Sequence, residues 1–134
     1  MSEVKLHFSE HYGIRINLTV GGNLIPGILD TGADTVCVPE TVAQALVKQG
    51  TIPPPIRTTY VAGANSRQKA NVYVMEVGVE GLDNFSKSVE VIGLPTRTAL
   101  LGRNWLKYVR FTYDGVRDQL DLWTDEHHSV HSSL

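Results

Sequence analysis

The sequence predicts an all-β domain, a barrel or sandwich that carries one or two short helices. The chain contains many short apolar or alternating segments, and glycine-rich turns separate several of them. Its 134 residues suffice for one domain with a real core but not comfortably for two. We therefore expect one domain over residues 14–124, an N-terminal segment over 1–13 that contributes an interface strand, and a polar C-terminal tail over 125–134.

The first elements are predicted to be strands. Residues 4–8 are short enough for an edge strand, and residues 14–20 alternate apolar with polar side chains as a half-buried strand does. A turn at 21–23 leads to a second strand over 24–29. Within it Pro26 cannot donate to a ladder, so the strand is expected to be edge-like or bulged there.

A short strand at 36–38 is predicted to lead into a helix that Pro39 opens. Gly50 should end this helix, and an extended stretch follows at 53–55, where three prolines stand in a row. The residues expected on the apolar face of the helix are Val42, Ala45 and Leu46.

A hairpin is predicted next, with arms at 57–61 and 71–79 around a small, polar tip at 62–66. After a turn at 81–84, residues 85–92 should form another strand. The last predicted elements are an apolar pair before Gly102 at 100–101, a short helix near 104–108, and strands at 111–113 and 120–123 around a turn at 114–115.

Composition excludes some functions. The net charge of −2 gives no electrostatic reason to expect nucleic acid as a partner. Residues 1–7 lack the apolar core of a signal peptide, and no apolar run approaches a membrane span, so we expect a cytoplasmic protein without a membrane partner. The single cysteine excludes a disulfide within the chain and fits a reducing compartment.

The segment at 28–34 carries the chemistry, because an acid follows an apolar strand directly and is flanked by threonine and glycine. The carboxylate of Asp30 can take a proton from water, and a second, protonated carboxyl can donate to a scissile carbonyl oxygen. Two such carboxyls at close range share one proton. Gly32 lets backbone and substrate approach the acid, and the Thr31 hydroxyl can tie the loop.

An Asp-Thr-Gly triplet is weak evidence by itself, because aspartate and glycine both favour turns. Its context is more specific. The chain resembles the retropepsins, the aspartic proteases of retroviruses and their cellular relatives, first over residues 21–24 and 28–36. The resemblance resumes at residues 100–106, Leu-Leu-Gly-Arg-Asn-Trp-Leu, and overall it spans roughly residues 14–123.

The resemblance implies a homodimeric acid-protease barrel in which Asp30 is the catalytic acid. Thr31 would bond to the partner subunit's loop, while Gly32 and Ala33 would line the substrate channel. Asp34 would anchor the substrate backbone. The other residues implied are Arg103 as the ion-pair partner of Asp34, Asn104 as support for the loop, and Ala62, Gly63, Ala64 and Asn65 in a flap that closes over substrate.

If the Arg103–Asp34 pair were deeply buried, removing one partner would cost about 3–5 kcal/mol of stability.

No metal or organic cofactor is expected. His7 with His11, and the group of His127, His128 and His131, lie near the chain ends, where solvated side chains are the simpler reading. Cys37 lies in an apolar strand and is expected to be a buried, inert thiol rather than a nucleophile.

We therefore expect an aspartic endopeptidase that hydrolyses polypeptides with water activated by Asp30 of two subunits. Its partners would be a polypeptide substrate and a second copy of itself. The alternative is a catalytically weak or silent peptide-binding or dimerisation module of the same fold. The intact triplet at 30–32 favours the enzyme.

Overall fold

Short strands dominate the computed structural model, which describes residues 14–62, 67–125 and 130–133. Across those ranges the chain forms ten strands and two helices. The strands are β1 Ile14–Val20, β2 Asn23–Leu29, β3 Val36–Pro39, β4 Arg57–Ala62, β5 Arg67–Val79, β6 Ser86–Leu94, β7 Ala99–Leu101, β8 Arg110–Asp114, β9 Gln119–Trp123 and β10 Val130–Ser133. The helices are α1 Glu40–Lys48 and α2 Arg103–Leu106.

The first seven strands form a sheet that closes on itself. Their order is β1-β2-β7-β3-β6-β5-β4, and an additional pairing of β1 with β5 completes the ring. Strand β4 stays outside the ring and pairs only with β5 among the described strands. The mostly-β architecture expected from the sequence is confirmed.

The first hairpin follows the sequence pattern. Along β1, the apolar side chains of Ile16, Leu18 and Val20 are buried while their neighbours are not. Pro26 lies opposite Asn17 of β1, and β7 joins the other side of β2 only from Gly27 onward. The proline thus lies where β2 is an edge, and the pairing with β1 continues through it without a bulge.

Strand β3 is central and buried along its whole length, with β6 parallel to it on one side and β7 antiparallel on the other. Helix α1 begins directly after Pro39 and ends before Gly50, whose φ of +77° suits glycine. Its buried residues are Ala43 and Leu46, whereas Ala45 is exposed. The prediction that Ala45 faces the core was wrong, because Ala43 and Leu46, three residues apart on one face of the helix, point inward instead.

The last three strands form a separate antiparallel sheet in the order β10-β9-β8. Strand β10 was not predicted, since its segment was expected to be a polar tail. Its backbone pairs with β9 from Val130 to Ser133. Ladder hydrogen bonds need no apolar alternation, so the sequence pattern gave no sign of it. The predicted strand at 4–8 and the hairpin tip at 63–66 lie outside the described residues.

Helix α2 inserts one large anchor into the core. Trp105 is fully buried, its indole N–H donates to the Val77 carbonyl at 2.7 Å, and its ring meets Phe85 edge-on at 5.7 Å between centroids. The helix spans residues Arg103–Leu106, close to the prediction of 104–108. Trp105 therefore locks α2 to strand β5.

Replacing this anchor should destabilise the domain. Trp105→Phe removes apolar volume and leaves the buried Val77 carbonyl without its donor, so we expect a loss of about 2–4 kcal/mol in the free energy of unfolding. Urea denaturation followed by far-UV circular dichroism measures it. Trp123→Phe, at a half-buried position, should cost clearly less; equal losses would contradict this role for Trp105.

Candidate active site

The loop between β2 and β3 holds Asp30 in one orientation. The Asp30 N–H donates to the Leu101 carbonyl of β7 at 3.1 Å, and the Ala33 N–H donates back to the Asp30 carbonyl at 3.1 Å. The Gly32 N–H donates to Asp30 Oδ1 at 2.9 Å. A carboxylate oxygen is thus fixed by a backbone donor two residues on, while Thr31 and Gly32 themselves are exposed.

The start of α2 is bonded to the same loop. The Arg103 N–H donates to the Ala33 carbonyl at 2.9 Å, and the Asn104 N–H donates to the Asp34 carbonyl at 3.0 Å. The first N–H groups of a helix have no partner inside it. Here the loop carbonyls supply those partners, so loop and helix stabilise each other.

The Asn104 side chain joins α2 to two barrel strands. Its Oδ1 accepts from the Val36 N–H of β3 at 2.9 Å, and its Nδ2 donates to the Glu90 carbonyl of β6 at 2.8 Å. Both the oxygen and the nitrogen of the side-chain amide thus form hydrogen bonds with backbone groups. The Asn104 side chain therefore bridges β3 and β6 directly after the loop.

Arg103 contacts the loop at two points. Its Nη1 donates to the Thr31 carbonyl at 2.5 Å, and its Nη2 forms an ion pair with Asp34 Oδ1. The pair implied by the resemblance is therefore present, but its side chains are 54% and 83% exposed in the single chain. Pairs that exposed contribute about 1 kcal/mol or less, so the cost of a deeply buried pair does not apply here.

Gly102 makes this packing fit, a role that the sequence analysis did not assign. A Cβ at Gly102 would lie 2.5 Å from the Thr35 carbonyl oxygen and 2.6 Å from its carbon. Both are backbone atoms and cannot rotate away. The available signal was the position of this glycine between a buried strand and a helix, which often marks a close backbone approach.

Cys37 lies beside the loop but is not poised to react. It is 8% exposed, and its thiol donates to the Thr35 carbonyl at 3.5 Å. Burial, and then the negative charge of Asp30, raises the pKa of Cys37 to about 11. The expectation that Cys37 is buried is confirmed, and its raised pKa favours an inert thiol because the thiolate is the reactive form.

Only one of the four hairpin residues named from the sequence lies among the described residues. Ala62 ends β4 and is exposed, whereas Gly63, Ala64 and Asn65 lie outside the described residues. No group of three histidine, cysteine, aspartate or glutamate side chains that could hold a metal occurs in the described part of the chain. In that same part, no helix is long and apolar enough to cross a membrane.

Comparisons with known proteins agree with this geometry. The family model described as "gag-polyprotein putative aspartyl protease" matches residues 16–108, more than half of the 134-residue chain. The solution structure of the simian foamy virus (mac) protease superposes with a TM-score of 0.53 at 21% identity, covering 70% of this chain and 92% of that one. That likeness shows the fold. No curated protein matches the sequence.

A side chain at Gly102 should disrupt the loop. Gly102→Ala pushes α2 away from the Thr35 backbone, so we expect a loss of about 1–3 kcal/mol in the free energy of unfolding. Hydrogen exchange at the loop amides should also become faster. Gly115→Ala is the control, because its nearest atom would be a Tyr113 ring carbon at 3.7 Å. Similar behaviour of the two variants in urea denaturation and exchange would contradict the close-packing role.

Cys37 should react slowly with iodoacetamide in the native protein. With a pKa of about 11, roughly one thiol in a thousand is ionised at pH 8, against about one in ten for an ordinary thiol of pKa 9.0. We expect labelling about a hundredfold slower than in urea, rising with pH toward 11. Mass spectrometry of quenched samples measures it, and complete labelling of folded protein within minutes at pH 8 would exclude this burial.

Proposed function

Since the chain belongs to the retropepsin-like gag-polyprotein aspartyl protease family, we propose that it is an aspartic endopeptidase. It hydrolyses peptide bonds at an active site formed by Asp30 of two copies. The observation that carries the proposal is the loop itself. Asp30 directly follows a barrel strand on a partly exposed loop, and backbone hydrogen bonds and the start of α2 hold that loop in place.

A fixed carboxylate suits hydrolysis by water. One Asp30 carboxylate takes a proton from a water molecule that attacks the scissile carbonyl carbon. The other Asp30, protonated, donates to the carbonyl oxygen, and the roles exchange as the tetrahedral intermediate releases the amine. The Gly32 N–H on Oδ1 supports this chemistry because it limits the rotation of the carboxylate.

A second copy is required because the chain carries one Asp-Thr-Gly triplet. The next acid along the loop, Asp34, is paired with Arg103 and so is committed to bracing. A two-fold axis places Asp30 beside its own copy through a self-complementary interface. Thr31, exposed in one chain, is the residue that bonds to the partner's loop.

The substrate is an extended polypeptide. It lies along the channel beside Gly32 and Ala33, where main-chain hydrogen bonds supply affinity and side-chain pockets supply selection. Asp34, while paired with Arg103, also anchors the substrate backbone, and the hairpin of β4 and β5, Ala62 included, covers the substrate. The residues assigned to the chemistry need no metal or organic cofactor.

Asp30→Asn should abolish cleavage without unfolding the protein. The amide keeps the shape of the carboxyl but cannot act as the base. We expect a loss of at least about a thousandfold in kcat/KM on an unfolded protein substrate, with an unchanged circular dichroism spectrum. Excess Asp30→Asn mixed with wild type should also suppress activity, because mixed dimers carry one acid.

Asp83→Asn, away from the loop, is the matched control and should cleave like wild type. Near-normal cleavage by Asp30→Asn would refute the assignment of the acid. Full specific activity in samples that sedimentation shows to be monomeric would refute the shared site. Peptide binding without turnover by wild type would favour the silent binding module.

A further inference from the structure

The hairpin of β4 and β5 leaves the barrel at one residue. Val72 of β5 pairs with Arg57 of β4 on one side and with Ile92 of β6 on the other. From Arg67 to Asn71, β5 pairs with β4 and with no other described strand. Val72 therefore marks a fork, where β5 turns away from β6 and carries β4 with it.

The carboxylate of Glu40 fills this fork. Glu40 is the first residue of α1, which the barrel holds through β3. Continued pairing beyond Val72 and Ile92 would place Asn71 opposite Gly93. Instead the Glu40 side chain lies between them, so close to Gly93 that any side chain there would overlap Glu40 Oε1.

One oxygen of Glu40 holds β5 on both sides of Val72. Glu40 Oε2 accepts from the Tyr73 hydroxyl at 2.7 Å and from Asn71 Nδ2 at 2.9 Å. It also accepts from Gln44 Nε2, one helical turn along α1, at 2.9 Å. The other oxygen, Oε1, is buried and has no hydrogen-bond partner among the described residues. Two hydrogen bonds of this carboxylate thus lie at the fork, one on each side of Val72.

The Tyr73 hydroxyl is a dependable donor. Tyr73 is 1% exposed, and burial followed by the hydrogen bond to Glu40 raises its pKa to about 12. The phenol therefore stays protonated throughout the neutral range. The hydroxyl also accepts from Asn71 Nδ2 at 3.4 Å, so removing the carboxylate would leave its proton, not its oxygen, without a partner among these residues.

An ion pair near the base of the hairpin also connects the hairpin to the barrel. A groove of about 680 Å³ separates its base from the barrel, lined by Glu40, Thr58, Lys69, Asn71, Gly93 and Pro95 among others. Arg57 of β4 forms this ion pair with Glu90 of β6 through two hydrogen bonds, at 3.0 and 2.5 Å, and the two side chains are 52% and 46% exposed. The pair holds β4 at its first residue, opposite Val72, whereas Glu40 holds β5 on both sides of Val72.

We propose that Glu40 is a positioning residue that holds the β4–β5 hairpin at its hinge and thereby controls how firmly the hairpin covers a bound peptide. The hinge itself follows from the contacts at the fork, and its effect on cleavage rests on the proposed function. Glu40 touches neither Asp30 nor the reacting bond in this arrangement. It acts through Asn71 and Tyr73 on the strand that leads to the hairpin tip.

Three variants test the hinge. Asn71→Ala and Tyr73→Phe each remove one donor from the hairpin side. Gln44→Ala is the matched control, since it removes a bond of equal length to the same oxygen from the helix side. Hydrogen exchange monitored by mass spectrometry should become about tenfold faster at residues 57–62 and 67–71 in the first two variants only. Exchange in β1 and β2 should not change.

Peptide hydrolysis supplies the second measurement. A loosened hairpin releases substrate more readily, so KM should rise about five- to tenfold in Asn71→Ala and Tyr73→Phe while kcat stays within about twofold. Gln44→Ala should match wild type. Unchanged exchange in both hairpin variants would overturn the hinge, as would an equal increase in Gln44→Ala.

The outcomes separate the two proposals. Faster hairpin exchange with unaltered KM would overturn the link to substrate and leave the protease assignment standing. Absence of cleavage by wild type, together with faster exchange in the two hairpin variants, would overturn the protease assignment and leave the hinge standing.

Discussion

The backbone bonds between the loop at 30–35 and its two neighbours, β7 and α2, are the constraint on which the candidate site depends. Leu101 accepts a hydrogen bond from Asp30, and Arg103 donates one to Ala33. Gly102 between them allows the close approach of the two backbones. Because a loop with exposed residues cannot rely on apolar burial, hydrogen bonds and a glycine have to give it a single shape. Trp105, one turn further on, fastens this arrangement to the core.

The barrel and the hairpin are held in different ways. Six strands close into a ring within the described residues, so the loop that carries Asp30 sits on a rigid base. The hairpin shares strand β5 with that ring, and side-chain contacts of Glu40 and of the Arg57–Glu90 pair attach its base. The loop that would carry out the chemistry is thus attached more firmly than the β4–β5 hairpin that would admit a peptide. This difference is expected if the loop must stay fixed and the hairpin must move.

Much of this was predictable from local pattern. Alternation in β1, the apolar run of β3 and the Asp-Thr-Gly triplet each reflect an interaction that one short segment determines. Three features were not predicted from the sequence, because they depend on residues outside the segment concerned. Strand β10 follows from pairing with β9, the burial of Ala43 rather than Ala45 follows from how α1 docks, and the exposure of the Arg103–Asp34 pair follows from what surrounds it.

The separation in sequence between the loop and its supports also has a consequence for synthesis. Arg103 and the Thr31 carbonyl that it contacts are 72 positions apart. A ribosome-bound chain therefore presents the acid long before the residues that shape its surroundings have emerged. Such distant contacts form slowly, because the entropy of closing the intervening chain must be overcome first. Any catalytic competence of this chain would consequently appear only after the residues around Arg103 have been made.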